Sequence, residues 1–339
     1  MAASTAVRTV VIALLGNSFV MVIKLVAFLA SGSGAMLSEA IHSAADTGNQ
    51  LLLFIGLRRG ERAPDEKFHY GYGGERFVFG ILSAAGIFFL GCGITVYHGV
   101  DSLLDPHPPQ LTVWTFVVLG VSIVIEGIVL LLAIRAVNQA RGDMPFFRFV
   151  RERADPATVA ILLEDSAAVL GMLTASASII LSYVTGNPLF DTIGSLLIGV
   201  ILGGIALYLV RENRELLIGR AVPDVVEQTF TNVILEHPAV RSVRDVKTRQ
   251  LTHDAYLFKA EITLDTDYLA EQLDKVLPAS HRDLTKGRSL RRASIATTDL
   301  IATEMIAVEQ AIRQAIPEAK HIDLEIAHPE HEATDEELA

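Results

Sequence analysis

The sequence predicts an α-helical membrane protein: a six-transmembrane-helix bundle with a small α+β domain after it. Three observations predict this. Mean hydropathy is +0.41 across 339 residues, which is high for a soluble chain and ordinary for a multi-span protein with a soluble part. Apolar runs recur at membrane-crossing length, and basic residues fall in alternate connections only. From Arg220 onward the character changes to mixed charged and apolar, with no further run of spanning length.

About 20 predominantly apolar residues cover the hydrocarbon core as a helix. That ruler selects Thr9–Ala30, Met36–Leu57, Phe77–Val100, Leu111–Val137, Thr158–Val184 and Phe190–Val210. The second and fifth are the weakest, because each carries more than one titratable residue in its interior. The first run continues too far for a cleaved signal peptide, and the chain re-enters an apolar run soon afterwards. The single cysteine, Cys92, lies inside a span and excludes both a disulfide framework and a cysteine zinc cluster.

Loop charge sets the orientation. Arg58, Arg59, Arg62, Lys67 and Arg76 lie between spans two and three. Arg141, Arg148, Arg151 and Arg153 lie between four and five, and Arg211, Arg214 and Arg220 follow span six. The connections Ser31–Ala35, Asp101–Gln110 and Thr185–Leu189 contain neither Lys nor Arg. This positive-inside alternation places both termini in the cytoplasm or its equivalent, and the expected location is a membrane crossed several times, the inner membrane if the source is bacterial.

The expected division is a membrane domain over 1–219, a cytoplasmic C-terminal domain over 220–328 and an acidic, disordered tail over 329–339. Pro223–Glu236 has a helical period; Val240–Leu251 and Ala255–Leu264 alternate as strands. Ile301–Ile316 is again helical and His321–Ile326 is a short strand, giving an αββαβ order of the ferredoxin-like kind. Thr266–Ser294 shows no clear period and reads as an insertion or mobile connection. The net charge of −11 comes mostly from here, with 22 acidic against 14 basic residues from Arg220 to Ala339. Such a tail argues against nucleic acid as a partner and against its own adhesion to anionic lipid.

Ionisable residues at membrane depth are costly, and they ordinarily face a bundle interior, a cavity or one another. At 100° per residue, Glu39, His42 and Asp46 fall within about a 60° sector of one helical face. His42 and Asp46, one turn apart, could grip one divalent ion. An imidazole with a carboxylate suits zinc, cobalt, nickel, iron or manganese better than magnesium or calcium. Glu164 and Asp165 are adjacent in span five, so their side chains point about 100° apart and one of them at most faces a shared site squarely. Span four holds Glu126, and span one holds Asn17 and Lys24.

Each has a plainer reading. Glu39 follows Ser38 and could be a first-turn acid; Asp46 and Asn49 could form an interhelical hydrogen-bond pair. Lys24 could snorkel or pair with Glu126. Two adjacent carboxylates inside a span are harder to explain as packing. A metal site shared between helices satisfies them all, with His42, Asp46, Asp165 and Glu164 as first candidates and Glu126 and Glu39 behind them.

Those residues carry a resemblance. Six spans, the H-x-x-x-D of His42 to Asp46, an acid in span five and an αββα(β) tail resemble the cation diffusion facilitators. The stretches MLSEAIHSAADTGNQ, FHYGYGGERFVFGILSAAGIFFLGCG, YHGVDSLLDPHPP, ILLEDSAAVLG, TGNPLFDTIGSLLIG and HIDLEIA are similar to the zinc transporter 9-like branch, and the likeness covers nearly the whole chain. The resemblance implies a homodimer in the bilayer that moves a divalent metal, usually zinc, against protons. The metal is cargo and no cofactor is implied. It also implies two ligands on span two and two on span five, at His42, Asp46, Ile161 and Asp165. Ile161 departs from the pattern, so Glu164, Glu126 or water has to supply the fourth donor. The histidine-rich loop of many relatives is also absent; the segment reads ARGDMPFFRFVRERADP. In the tail, His237, His253, His321 and Asp323 are candidates for a regulatory metal, and plain dimerisation is the favoured role.

The expected activity is zinc efflux from the cytoplasm by proton antiport. The alternatives are a manganese, iron or cobalt exporter of the same architecture and a metal-sensing membrane scaffold without flux. An intramembrane metalloenzyme would want a general base beside its metal, as in H-E-x-x-H, and the chain has no such motif. It is not expected to be an enzyme.

Overall fold

The computed structural model describes residues 2–31, 34–104, 113–152, 154–187, 189–252, 254–277 and 287–327. The chain divides into two compact units, Met1–Ile218 and Gly219–Ala339.

Every regular element described in the first unit is a helix. Its elements are α1 (Ala2–Ser31), α2 (Gly34–Gly60), α3 (Glu75–Gly86), α4 (Ile94–Leu104), α5 (Val113–Ala140), α6 (Phe146–Glu152), α7 (Pro156–Thr185) and α8 (Leu189–Ile218). A π-helical segment, Ile87–Gly93, joins α3 to α4, so the third predicted span is one continuous helical rod with a widened middle. Among the described residues, four rods are long and apolar enough to cross a membrane: Glu75–Leu104, Gly120–Ala140, Pro156–Thr185 and Leu189–Ile218. In α1 the apolar core is the shorter stretch Val10–Val26. Along α2, Glu39, His42, Asp46, Arg58 and Arg59 interrupt the apolar character, although the helix covers the whole predicted run.

Burial is inverted relative to a soluble bundle. Leu15, Phe19, Leu29, Phe89, Val200 and many other large apolar side chains are exposed on the outside of the helices. Asn17, Lys24, Asn49, Gln50, Glu164 and Asp165 are buried within. An exterior of this kind is matched to lipid, where apolar surface carries no penalty and polar groups must be satisfied inside. Lys24 is only 3% exposed, so the expectation that it snorkels does not hold.

Packing runs from α1 to α2 and α5, from α2 to α3, from α5 to α7, and from α8 to α7, α3, α4 and the π segment. Small residues permit the close approach on α8. A β-carbon at Gly199 would stand 2.6 Å from Val96 Cγ2, and one at Gly203 would stand 3.0 Å from Cys92 Sγ. Helix α7 starts where Asp155 accepts a hydrogen bond from the Ala157 N–H at 2.9 Å and Pro156 presets the first turn. It stops at Gly186, whose φ of +66° is a left-handed cap that favours glycine. Asp155 is also tied to Arg76 at the start of α3 (3.1 Å), with side chains only 5% and 8% exposed.

The second unit holds α9 (Asp224–Leu235), β1 (Val240–Thr252), β2 (Ala255–Leu264), α10 (Thr266–Val276), α11 (Gly287–Ala315) and β3 (Ala319–Ile326). The strands form one sheet in the order β1-β2-β3, with β1 antiparallel and β3 parallel to the central β2. Tyr256, Phe258, Ala260 and Ile262 alternate along β2 and bury one face beneath the helices. Phe230 of α9 stacks on Phe258 with ring centroids 4.4 Å apart, and Ile234, Val308 and Ile312 complete the core.

One expectation is corrected here. The described parts of Thr266–Ser294 are largely helical: α10 fills its first part, and α11 begins at Gly287 rather than near Ile301. Asp265 caps α10 by accepting from the Tyr268 N–H at 2.8 Å, and Leu269, Leu273 and Val276 recur at helical spacing. Dense charge on the exposed faces of both helices hid that period. His253 and the tail 328–339 lie outside the described residues.

Candidate metal centre within the helix bundle

Three helices supply the acidic groups. Helix α7 presents Glu164 and Asp165 to the interior, where they are 6% and 4% exposed. Helix α2 contributes Asp46, which is half-buried, and α5 contributes Glu126, also half-buried. The two α7 acids lie within electrostatic reach of the others: Glu164 of Asp46, Asp165 and Glu126, and Asp165 of Glu126 and Asp46. Four like charges drawn together in an apolar bundle repel, and only cations or protons relieve them.

Neutral amides occupy the α2 side. Asn49 Nδ2 donates to Glu164 Oε1 at 3.5 Å, and both groups are buried. On its other side the Asn49 amide lies against the α-carbon of Gly86, in a gap that any side chain there would fill. Asn49 is thereby wedged between α3 and α7. Gln50 beside it is fully buried, and neither of its amide atoms has a hydrogen-bond partner among the described residues. Glu164 Oε2 and Asp165 Oδ2 are in the same condition. Buried oxygens left over in this way are positions where a cation, a proton or water would be bound.

Ile161, one turn before Asp165, is 0% exposed and belongs to an apolar cluster with Val10, Ala13, Leu53, Val129, Ala157 and Ala160. It forms part of the hydrophobic floor beneath the acids, where a fourth ligand would otherwise be expected. The side chains of His42 and Glu39 lie outside the described part of the structure, although both positions belong to α2. Among the described residues, no three His, Cys, Asp or Glu side chains stand in an arrangement that could hold a metal ion. The sequence marks Asn49, three residues after Asp46 on the same face, but gives no sign of its partner Glu164.

A bundle of lipid-matched helices with acidic groups from three of them gathered inside defines an integral membrane protein with a cation-attracting interior. The chain belongs to the cation efflux family, whose transmembrane domain matches residues 10–218. It is 36% identical over 332 residues to the Xenopus laevis protein named proton-coupled zinc antiporter SLC30A9, mitochondrial, covering 94% of this chain and 59% of that protein. The Homo sapiens protein of the same name is 36% identical over 94% of this chain and 58% of its own length. Metal tolerance protein C4 of Arabidopsis thaliana is 34% identical over 95% of this chain and 74% of its own length. The chain thus spans a little under three-fifths of the two antiporters.

Proposed function

We propose that this chain exports divalent metal, zinc first among them, from the cytoplasm in exchange for protons. The observation that carries the reading is the set of carboxylates on α2, α5 and α7 gathered inside apolar helices. The names borne by the antiporter relatives point the same way. In this reading all six predicted spans cross the bilayer, the basic connections and both termini face the cytoplasm, and the second unit pairs two copies into a homodimer.

His42, Asp46 and Asp165 hold the ion, and Glu164 supplies the donor that Ile161 does not. A metal needs its histidine neutral and its carboxylates ionised, so metal and protons exclude one another from the same oxygens. An ordinary histidine pKa of about 6.5 keeps that exchange within the range of physiological pH gradients. Asn49 holds one Glu164 oxygen while the other is left to the ion. Adjacent on one helix, Glu164 and Asp165 cannot both swing toward one side without the other turning away, which suits a site that opens to alternate faces.

The apolar contacts of Ile161 favour one variation on the reading. Three protein ligands with water tolerate five- and six-coordinate ions, so manganese, iron or cobalt would be carried alongside zinc. The test is metal flux into proteoliposomes, with zinc, manganese, iron and cobalt in competition, with and without a pH gradient. Zinc uptake that rises with an opposing proton gradient and vanishes in Asp46→Ala is the expected result. Wild-type rates in Asp46→Ala would sink the site. Metal binding without flux would leave a sensing scaffold in its place.

A further inference from the structure

At the end of the bundle that carries Arg58, Arg59 and Arg62, α1 and α2 leave a recess of about 660 Å³ between them. Its lining is divided by helical spacing. On α1, Val7 and Val11 lie one turn apart, as do Arg8 and Ile12, so an apolar wall rises beside a single cation. Arg58 in the last turn of α2 and Glu61 just past its end lie three residues apart and close the opposite side. The Arg58 guanidinium stands 5.5 Å above the Phe54 ring and only 3.7 Å from Glu61, with 60% and 36% of the two side chains exposed. A pair so loose and wet holds Arg58 weakly and leaves its donors available to a stronger acceptor.

We infer that this recess is a binding site for an acidic phospholipid, with the phosphate between Arg8 and Arg58 and the first methylenes of an acyl chain along Val7, Val11 and Ile12. Three features select a lipid over a soluble anion. The α1 wall of the recess continues within two turns into the exposed apolar side chains Leu15 and Phe19, a surface suited to acyl chains. It lies at the end where the basic connections meet the headgroups, and basic recesses between spanning helices at that level hold anionic headgroups. Its volume suits a glycerophosphate group with the start of its chains, and half its lining is hydrocarbon that inorganic phosphate could not use. The inference needs only a chain that resides in a membrane, and stands apart from the transport reading.

The measurement is native mass spectrometry of the full-length protein in neutral detergent, titrated with phosphatidylglycerol, phosphatidylcholine or inorganic phosphate. The wild type should retain phosphatidylglycerol well above phosphatidylcholine. Arg8→Gln with Arg58→Gln should weaken that retention by about fivefold for each guanidinium removed. Glu61→Gln, which frees Arg58 from its carboxylate, should strengthen it; a damaged fold would not move retention upward. Arg288→Gln with Arg291→Gln, an equal loss of charge on α11, should leave it unchanged. Undiminished retention in the Arg8, Arg58 double variant would overturn the inference. So would equal binding of phosphatidylcholine, or displacement of the lipid by an equal concentration of inorganic phosphate.

Discussion

In the proposed site, Ile161 would limit how many donors α7 can offer, because it lies one turn before Asp165 yet packs among aliphatic side chains. A histidine at that position would exchange apolar contacts for a ring that can reach the same ion. Without metal the buried imidazole lacks a partner, at a cost of about 1–3 kcal/mol. With zinc bound, a tetrahedral set becomes possible and the loss is offset by ligand linkage. Ile161→His is therefore expected to lower thermal stability in metal-free buffer, to regain it with zinc, and to carry less manganese relative to zinc. Paired melting curves and competitive flux check this; an unchanged zinc-to-manganese ratio would show that residue 161 does not face the ion. Glu164→Gln should cost less flux in that background than in the parent, since the new ring replaces the donor.

Helix α7 is the element on which the site depends, and its N-terminus is held with unusual care. Asp155 both caps the helix and meets Arg76 of α3, while the Arg76 stem fills the space over Gly60 at the end of α2. Three helices are thus pinned at one end, next to connections rich in arginine. Removing one partner of a buried ion pair is much costlier than the pair's net worth, because the remaining charge keeps its desolvation penalty. Asp155→Ala is expected to lose about 3 kcal/mol from this source, with Asp155→Asn milder because an asparagine still caps. Thermal unfolding in nanodiscs and amide exchange at residues 156–160 read the two effects separately. Protection at those amides equal to wild type in Asp155→Ala would show that the pin is decorative.

For the whole molecule, the two units have cores of different physical kinds. The first buries polar and charged groups beside an apolar cluster and exposes many large apolar side chains; the second has an apolar core around Phe230, Phe258 and Ile312. A unit with its own hydrophobic core can fold and associate by itself. If the second unit pairs two copies of a zinc exporter as proposed, truncation after Gly219 weakens that pairing and slows zinc flux while leaving the order of metal preference intact. Crosslinking yield and competitive flux on the truncated chain decide it. A preference that disappears with the tail would move selectivity out of the bundle and toward residues such as His321 and Asp323.

Hydropathy and periodicity, which are local properties, determined much of this protein by themselves. Each predicted span falls on a helix, and the strands of the second unit begin and end within a residue or two of their alternating segments. The Thr266–Ser294 stretch escaped because surface helices such as α10 show only a narrow apolar stripe, and charge diluted it. Within the site, the residue types at Asp46, Glu126, Glu164 and Asp165 were conspicuous from their cost at membrane depth alone. Their mutual reach was not, since it depends on α5 and α7 packing together beside α2. The same holds for Asn49, whose amide meets Glu164 across 115 residues of chain through a gap left by Gly86. Sequence spacing gives direction around one helix; only the packing of several helices decides which of those directions converge.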